Sequence, residues 1–449
     1  MELASQIVLA VAGLVSLLFS LLFAIPSFRR QEIRAGYFGL AGAAAGTILL
    51  AAVYLPAPGR IVLAGAIVAL GIAAGLILAL PVGRVALQPQ RPTRRVDERT
   101  IMFARHRLVP GSPQYASYYQ VHPEHKEIDE AIRALPGLLS PKAPMANPLA
   151  FAATDAAFFL AESLREAVDG LPAPEPHSLS PESATLYVKQ LARYWGAHRC
   201  GVAEVRDYQV YSHIGRGAGV YGEPIEMEHR YVLVFTFEMA ESMLRTAPRA
   251  QEVMETAYQY SEAAQVAVQI AAWIRALGYP ARAHIDGNYR LILPLAARDA
   301  GLGEIGRMGL LMTPDLGPRV RLSAVSTNMP LIPDFPGDSP AVVDFCNICR
   351  KCAENCPSKA IQQGDRQEIH RALRWKIDAE KCFRYWNSVG TDCGRCMMVC
   401  PYSHASDPAH NAMRQLVARS GVARRIGLRL DDWLYSRKPK VRPGPRWTL

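Results

Sequence analysis

The sequence predicts an α+β protein in which three apolar helices precede a mixed α/β domain and a small cysteine-rich module. Three observations carry this. The apolar excess is concentrated before residue 85, helix-like and strand-like runs follow one another between residues 150 and 330, and eight of the nine cysteines fall between Cys346 and Cys400. At 449 residues the chain is also longer than one hydrophobic core normally serves. The expected division is a membrane anchor over residues 1–87, a linker and helical region over 88–180, an α/β domain over 181–335, the cysteine module over 336–410 and a basic tail over 411–449.

The stretches Ile7 to Ile25, Ala35 to Leu55 and Ile61 to Val82 each approach the roughly 20 residues a spanning helix requires, and none holds a charged residue. A cleaved signal peptide would want a basic start, whereas this one offers Glu2 and no Lys or Arg. Phe28-Arg29-Arg30 imitates a twin-arginine export signal, but it follows a whole apolar helix and lacks the surrounding pattern. Arg29, Arg30 and Arg34 occupy the first loop, Arg60 the second, and Arg84, Arg91, Arg94, Arg95, Arg99, Arg105 and Arg107 follow the third stretch. That asymmetry predicts a multi-pass protein of the inner (cytoplasmic) membrane, with the N-terminus outside and the soluble part facing the cytoplasm. The net charge of +10 is therefore read as membrane-flanking. Nucleic acid is not an expected partner, because basic patches with interleaved aromatics are missing.

Prolines 89, 92, 110, 113 and 123 punctuate the region after the anchor. Ala150 to Val168 reads as a helix, as does Pro181 to Trp195 with Ser180 placed to cap it and Gly196 to end it. Gly201 to Val205 and Tyr231 to Phe237 read as strands, the second apolar enough to be buried on both faces. A long helix over about Ala250 to Leu277 closes at Gly278, and Ala281 to Ile285 and Val320 to Ser326 complete the strands.

Cys346-x2-Cys349-x2-Cys352-x3-Cys356-Pro357 has the spacing of bacterial ferredoxins, in which the fourth cysteine serves the other of two clusters. Its partner is Cys382-x10-Cys393-x2-Cys396-x3-Cys400-Pro401. The assignment is two 4Fe-4S clusters, one on Cys346, Cys349, Cys352 and Cys400, the other on Cys382, Cys393, Cys396 and Cys356. Zinc is the alternative, since CxxC pairs also build zinc ribbons, but the x3 spacings and Cys-Pro endings argue against it. Disulfides would want dispersed cysteines. Cys200 stands apart and reads as a small core residue.

Ahead of the module runs a glycine-rich segment, Ala300 to Gly309, whose Gly301, Gly303 and Gly306 imitate a dinucleotide fingerprint without the strand and acidic residue that a Rossmann unit needs. Glycines there permit close backbone approach to a bound group. This segment, with Pro318-Arg-Val-Arg-Leu322, Thr327-Asn-Met-Pro330, Lys381-Cys-Phe-Arg-Tyr-Trp386 and both cysteine motifs, resembles the corrinoid-dependent reductive dehalogenases from about Trp195 to Trp433. The epoxyqueuosine reductases, which share the glycine segment and cluster module, are the nearest rival.

The resemblance implies a nitroreductase-like α/β domain holding a corrinoid (cobalamin), with Gly301, Gly303, Arg307, Met308 and Gly309 as cofactor contacts. It implies Tyr260, Asn288 and Arg321 as catalytic residues, Arg321 rather than Arg319, and a lower cobalt face without a histidine, so His284 is not an expected ligand. Reductive removal of a halogen takes two electrons and one proton. A phenol can deliver the proton, and a neighbouring guanidinium is expected to lower its pKa. The partners implied are an organohalide substrate, the membrane, and an electron donor that is quinol-linked or a ferredoxin or flavodoxin. A non-catalytic electron-transfer subunit would explain the anchor and cysteines but leave Tyr260, Asn288 and Arg321 idle.

Overall fold

The computed structural model describes residues 1–79, 91–336 and 340–448. Arg84, residues 80–82 of the third expected span and the boundary at residue 87 lie outside them. Contacts divide the chain into two units, Met1–Ala86 with Ala405–Pro439, and Leu87–His404 with Lys440–Leu449.

The first unit holds the helices Glu2–Arg29, Ile33–Ala51 and Ala57–Ala79. All three apolar segments are long enough to cross a membrane. Small residues bring the first two together. A Cβ on Gly46 would lie 2.6 Å from the Leu17 backbone nitrogen, and one on Gly39 2.7 Å from the Ala24 Cβ, so the backbones approach as closely as glycine allows. Residues expected as a basic tail instead form the helices Pro408–Arg419 and Gly421–Tyr435 in this same unit. Arg30 pairs with Asp407 at 2.6 Å, and Phe38 meets Trp433 edge to face at 5.2 Å. The tail's basic residues are partly spent on its own backbone, as where buried Arg424 donates to the Val417 carbonyl at 2.9 Å.

In the second unit a four-stranded sheet consists of β1 (Arg199–Glu204), β2 (Tyr231–Glu238), β3 (Ala281–His284) and β4 (Val320–Thr327). Its order is β1-β2-β4-β3, with every neighbouring pair antiparallel. Alternation along β2 explains why its apolar run is continuous. Leu233, Phe235 and Phe237 pack with Ala263, Ala267, Ile270 and Ile274 of the long helix Ala250–Ala276 on one face. On the other, Val232 and Val234 pack with Ala296 and Ala297 of the helix Leu293–Asp299. The Pro181–Tyr194 helix is capped by Ser180, whose hydroxyl accepts from the Ser183 amide at 3.2 Å.

The region expected to be a linker is packed structure, and Arg95, Glu98 and Arg105 have partners within the fold. Arg95 donates to the carbonyls of Val210, Tyr211 and Ile225. Glu98 is fully buried and accepts from the amides of Gly215 and Arg216 and from the Arg216 guanidinium. Arg105, 2% exposed, pairs with Asp129 at 2.7 Å and Glu380 at 2.8 Å. Further on, Gly137, Leu139 and Met145 donate backbone bonds to Asn387, Gly390 and Val389. Residues 91–180 thus strap the sheet domain to the cysteine module, and both fall in the same compact unit.

Candidate functional site

The thiols gather into two sets. Cys346, Cys349, Cys352 and Cys400 act on one another electrostatically and line one cavity, while Cys382, Cys393 and Cys396 form a second set with Cys356. The Cys352 thiol also feels Cys396, so the sets adjoin. Burial, then neighbouring thiolates, pushes Cys382 and Cys396 up to about 12, and Cys352 and Cys400 well above the ordinary thiol value. Thiols raised in this way ionise only against a strongly cationic group, a charge that iron would supply. The Cys356 sulfur accepts from the Ala360 amide at 3.3 Å, which orients it. Cys393 itself sits in the left-handed region, with φ +69.

The glycine-rich segment serves this module differently from the expectation. A Cβ on Gly303 (φ +158) would lie 2.2 Å from the Met312 carbonyl oxygen, so its close approach is to the chain's own two-residue ladder of Glu304–Ile305 and Leu311–Met312. Gly309 (φ +76) turns against Ile377, and Gly301 has φ +72. Arg307 and Met308 line the cavity of the first cysteine set. Arg307 is fully buried over the Trp375 ring, donates to the carbonyls of Cys346, Gln362, Gln363 and Gly364, and keeps Nη2 without a hydrogen-bond partner among the described residues. That buried cation against four thiols fits an anionic cluster.

Tyr260 and Arg321 meet. Tyr260 lies on the Ala250–Ala276 helix and Arg321 on β4, with the guanidinium carbon 5.1 Å from the centre of the phenol ring. Arg321 Nη2 donates to Thr256 Oγ1 at 2.5 Å and Asp392 Oδ2 at 3.0 Å, and Thr256 donates to the same Asp392 oxygen at 2.8 Å. Asp392 precedes Cys393, and Glu252 packs on Gly394, where a Cβ would come within 2.3 Å of its carboxyl oxygen. Burial, then the charge of Asp392, raises Glu252 well above the carboxylate range.

The expectation that Arg321 would lower the Tyr260 pKa is corrected. Burial outweighs the guanidinium, and the phenol is raised above its ordinary value. Arg319 and Arg321 do not compete, since Arg319 is turned to Glu238 at 2.6 Å and to the Met239 carbonyl. Asn288 is fully buried, but its amide accepts from Arg282 at 2.7 Å and donates to the Arg165 carbonyl at 3.0 Å rather than facing Tyr260. Its neighbour Tyr289 is the one that feels Tyr260: burial, then the Tyr260 phenol, raises Tyr289 well above the ordinary phenol value. His284 holds Ser326 Oγ at 2.9 Å through Nε2 and accepts from the Arg290 amide at 3.2 Å through Nδ1, so neither ring nitrogen is open to a metal. Cys200 lies in the core, its thiol raised to about 12 by burial.

Glu252, Thr256, Asp392 and Tyr289 were not among the expected site residues. The first two were legible, because Glu252, Thr256 and Tyr260 recur every four residues and make one polar stripe on a largely buried helix. Asp392 carried no signal beyond standing next to a cysteine.

A buried phenol–guanidinium–carboxylate cluster thus adjoins a cysteine module whose spacing and packing suit iron–sulfur clusters. The 4Fe-4S dicluster domain family matches residues 345–404. The chain is 34% identical over 307 residues to the tetrachloroethene reductive dehalogenase of Sulfurospirillum multivorans, covering 61% of each chain. It is 30% identical to that of Desulfitobacterium hafniense, covering 60% of this chain and 56% of the relative. The solved catabolic reductive dehalogenase NpRdhA aligns with a TM-score of 0.65 at 26% identity, over 79% of this chain and 49% of that one. The epoxyqueuosine reductase of Lactococcus garvieae matches 27% of the chain at 31% identity. The resemblance to the reductive dehalogenases is therefore present in both sequence and fold, and the chain spans about three fifths of the curated relatives' length.

Proposed function

We propose that the chain is a membrane-anchored, corrinoid and iron–sulfur reductive dehalogenase, replacing a halogen of an organohalide by hydrogen with two electrons and one proton. The observation that carries this reading is the Tyr260–Arg321 pair fixed by Asp392, the residue next to a cysteine of the second set. It joins a proton donor to an electron route. A subunit that only passed electrons would have no use for the pair.

The polar cluster fits a corrinoid on two counts. Arg321 Nε is buried without a hydrogen-bond partner among the described residues, and Tyr260 beside it is buried, so the two could face a bound group. The sheet and its flanking helices form the nitroreductase-like domain, and the bound corrinoid supplies reductive carbon–halogen cleavage. Tyr260 Oη gives its proton to the substrate carbon, and Arg321 stabilises the phenolate that remains. Asn288 positions the loop that carries Tyr289. Gly301, Gly303 and Gly309 shape the hairpin beside the first cysteine set, while Arg307 and Met308 wall that set. The two cysteine sets would hold two 4Fe-4S clusters, which would supply the electrons one at a time. The anchor keeps the soluble part on the cytoplasmic side, near a quinol-linked, ferredoxin or flavodoxin donor.

Tyr260→Phe tests the reading. The variant is expected to keep the parent's iron and cobalamin content and to lose about 100-fold or more of the halide release rate on a panel of haloaromatics and haloalkenes. Equal rates would remove Tyr260 from the reaction. The epoxyqueuosine reductase alternative predicts turnover on modified RNA and none on organohalides.

A further inference from the structure

We propose that His122, Glu124 and His125 form a site for a divalent metal ion of the zinc class, separate from the cysteine module. The three fall in His122-Pro123-Glu124-His125, which joins the helix Pro113–Val121 to the helix Lys126–Arg133. One ligand atom from each lies within 4.8 Å of the others. His122 Nδ1 is 3.3 Å from Glu124 Oε1, and His125 Nε2 is 3.9 Å from the same oxygen. The second separation is too long for a hydrogen bond. The first equals the edge of a tetrahedron around zinc, about 3.3 Å for bonds of about 2.0 Å, and the second exceeds it by about 0.6 Å. Closing the longer edge needs only rotation of Glu124, whose side chain is 61% exposed.

The imidazoles are held in place before any ion arrives. Tyr118 is buried, and its hydroxyl meets His125 Nδ1 at 2.8 Å, leaving Nε2 as the coordinating atom in the manner of an outer-shell partner. The Tyr118 ring lies 4.9 Å from that of His122 and 6.0 Å from that of His125, stacked on the latter. The His122 amide donates to the Tyr118 carbonyl at 2.9 Å and the His125 amide to the His122 carbonyl at 3.2 Å. Two imidazoles and a carboxylate suit zinc and leave a coordination position to water. The ion would tie together the two helices that present Tyr119 and Asp129, whose hydroxyl–carboxylate contact is 2.8 Å, and so brace Asp129 against Arg105.

The test uses the full chain in detergent, reconstituted anaerobically with iron and sulfide and then equilibrated with Zn(II) alone. The parent is expected to retain about one zinc more per chain than the His122→Gln/His125→Gln variant at equal iron content. X-ray absorption at the zinc edge should show nitrogen and oxygen neighbours with imidazole scattering. Glu124→Gln, at an exposed position, keeps the fold and should weaken zinc retention. Equal zinc in parent and double variant, a sulfur-dominated zinc shell, or retention unaffected by Glu124→Gln would each overturn the site.

Discussion

Tyr260, the proposed proton donor, is kept protonated by burial. Its pKa is raised above the ordinary 10.0, chiefly by desolvation, with Arg321 opposing. The acid form therefore persists through neutrality, and a rate that needs its proton falls only as pH rises past the folded pKa. Steady-state kcat should show no alkaline limb below about pH 10 from this group. A limb near pH 8 that vanishes in Tyr260→Phe would contradict this. The two arginines should also separate. Arg321→Met removes the partner of the phenolate and should cost about 100-fold or more in kcat. Arg319→Met leaves the phenol's surroundings intact and should act mainly on melting temperature, because Arg319 serves Glu238 and the Met239 carbonyl. A kcat loss as large in Arg319→Met as in Arg321→Met would reverse the assignment.

Among the elements, those whose period survives in one run of sequence were legible. The strand over Tyr231–Glu238, the long helix ending before Gly278 and the helix capped by Ser180 all carry their signals locally. What lay hidden depends on partners far away in the chain. Arg95 and Arg105 look like membrane-flanking charges until the carbonyls near residue 210 and the carboxylates of Asp129 and Glu380 are seen to take them. Asn288 carries only a turn signal, and its link to Arg282 and Arg165 is a tertiary fact. Buried ion pairs are costly to break, since one unmatched charge is left behind. Asp129→Ala should therefore destabilise the strap by about 3–5 kcal/mol, seen as earlier thermal melting and faster proteolysis within residues 91–146. Melting and cleavage unchanged from the parent would show that the strap does not depend on Arg105.

At the scale of the whole molecule, one compact unit carries the polar cluster and both cysteine sets, while the apolar helices and the helices of residues 405–439 make another. Tyr260, Arg321 and both cysteine sets thus fall in one unit, as the proposed reductive step on an organohalide requires. The cysteine spacing announced the carriers. The donor emerged only by resemblance, because a tyrosine on a helix has no signature of its own. This unit is proposed to hold a corrinoid beside its clusters. Anaerobic reconstitution with iron, sulfide and cobalamin, followed by removal of unbound cofactor, measures this directly. Retention of about one cobalamin with on the order of eight iron atoms per chain is the predicted result. Iron retained at that level with no cobalamin would contradict it.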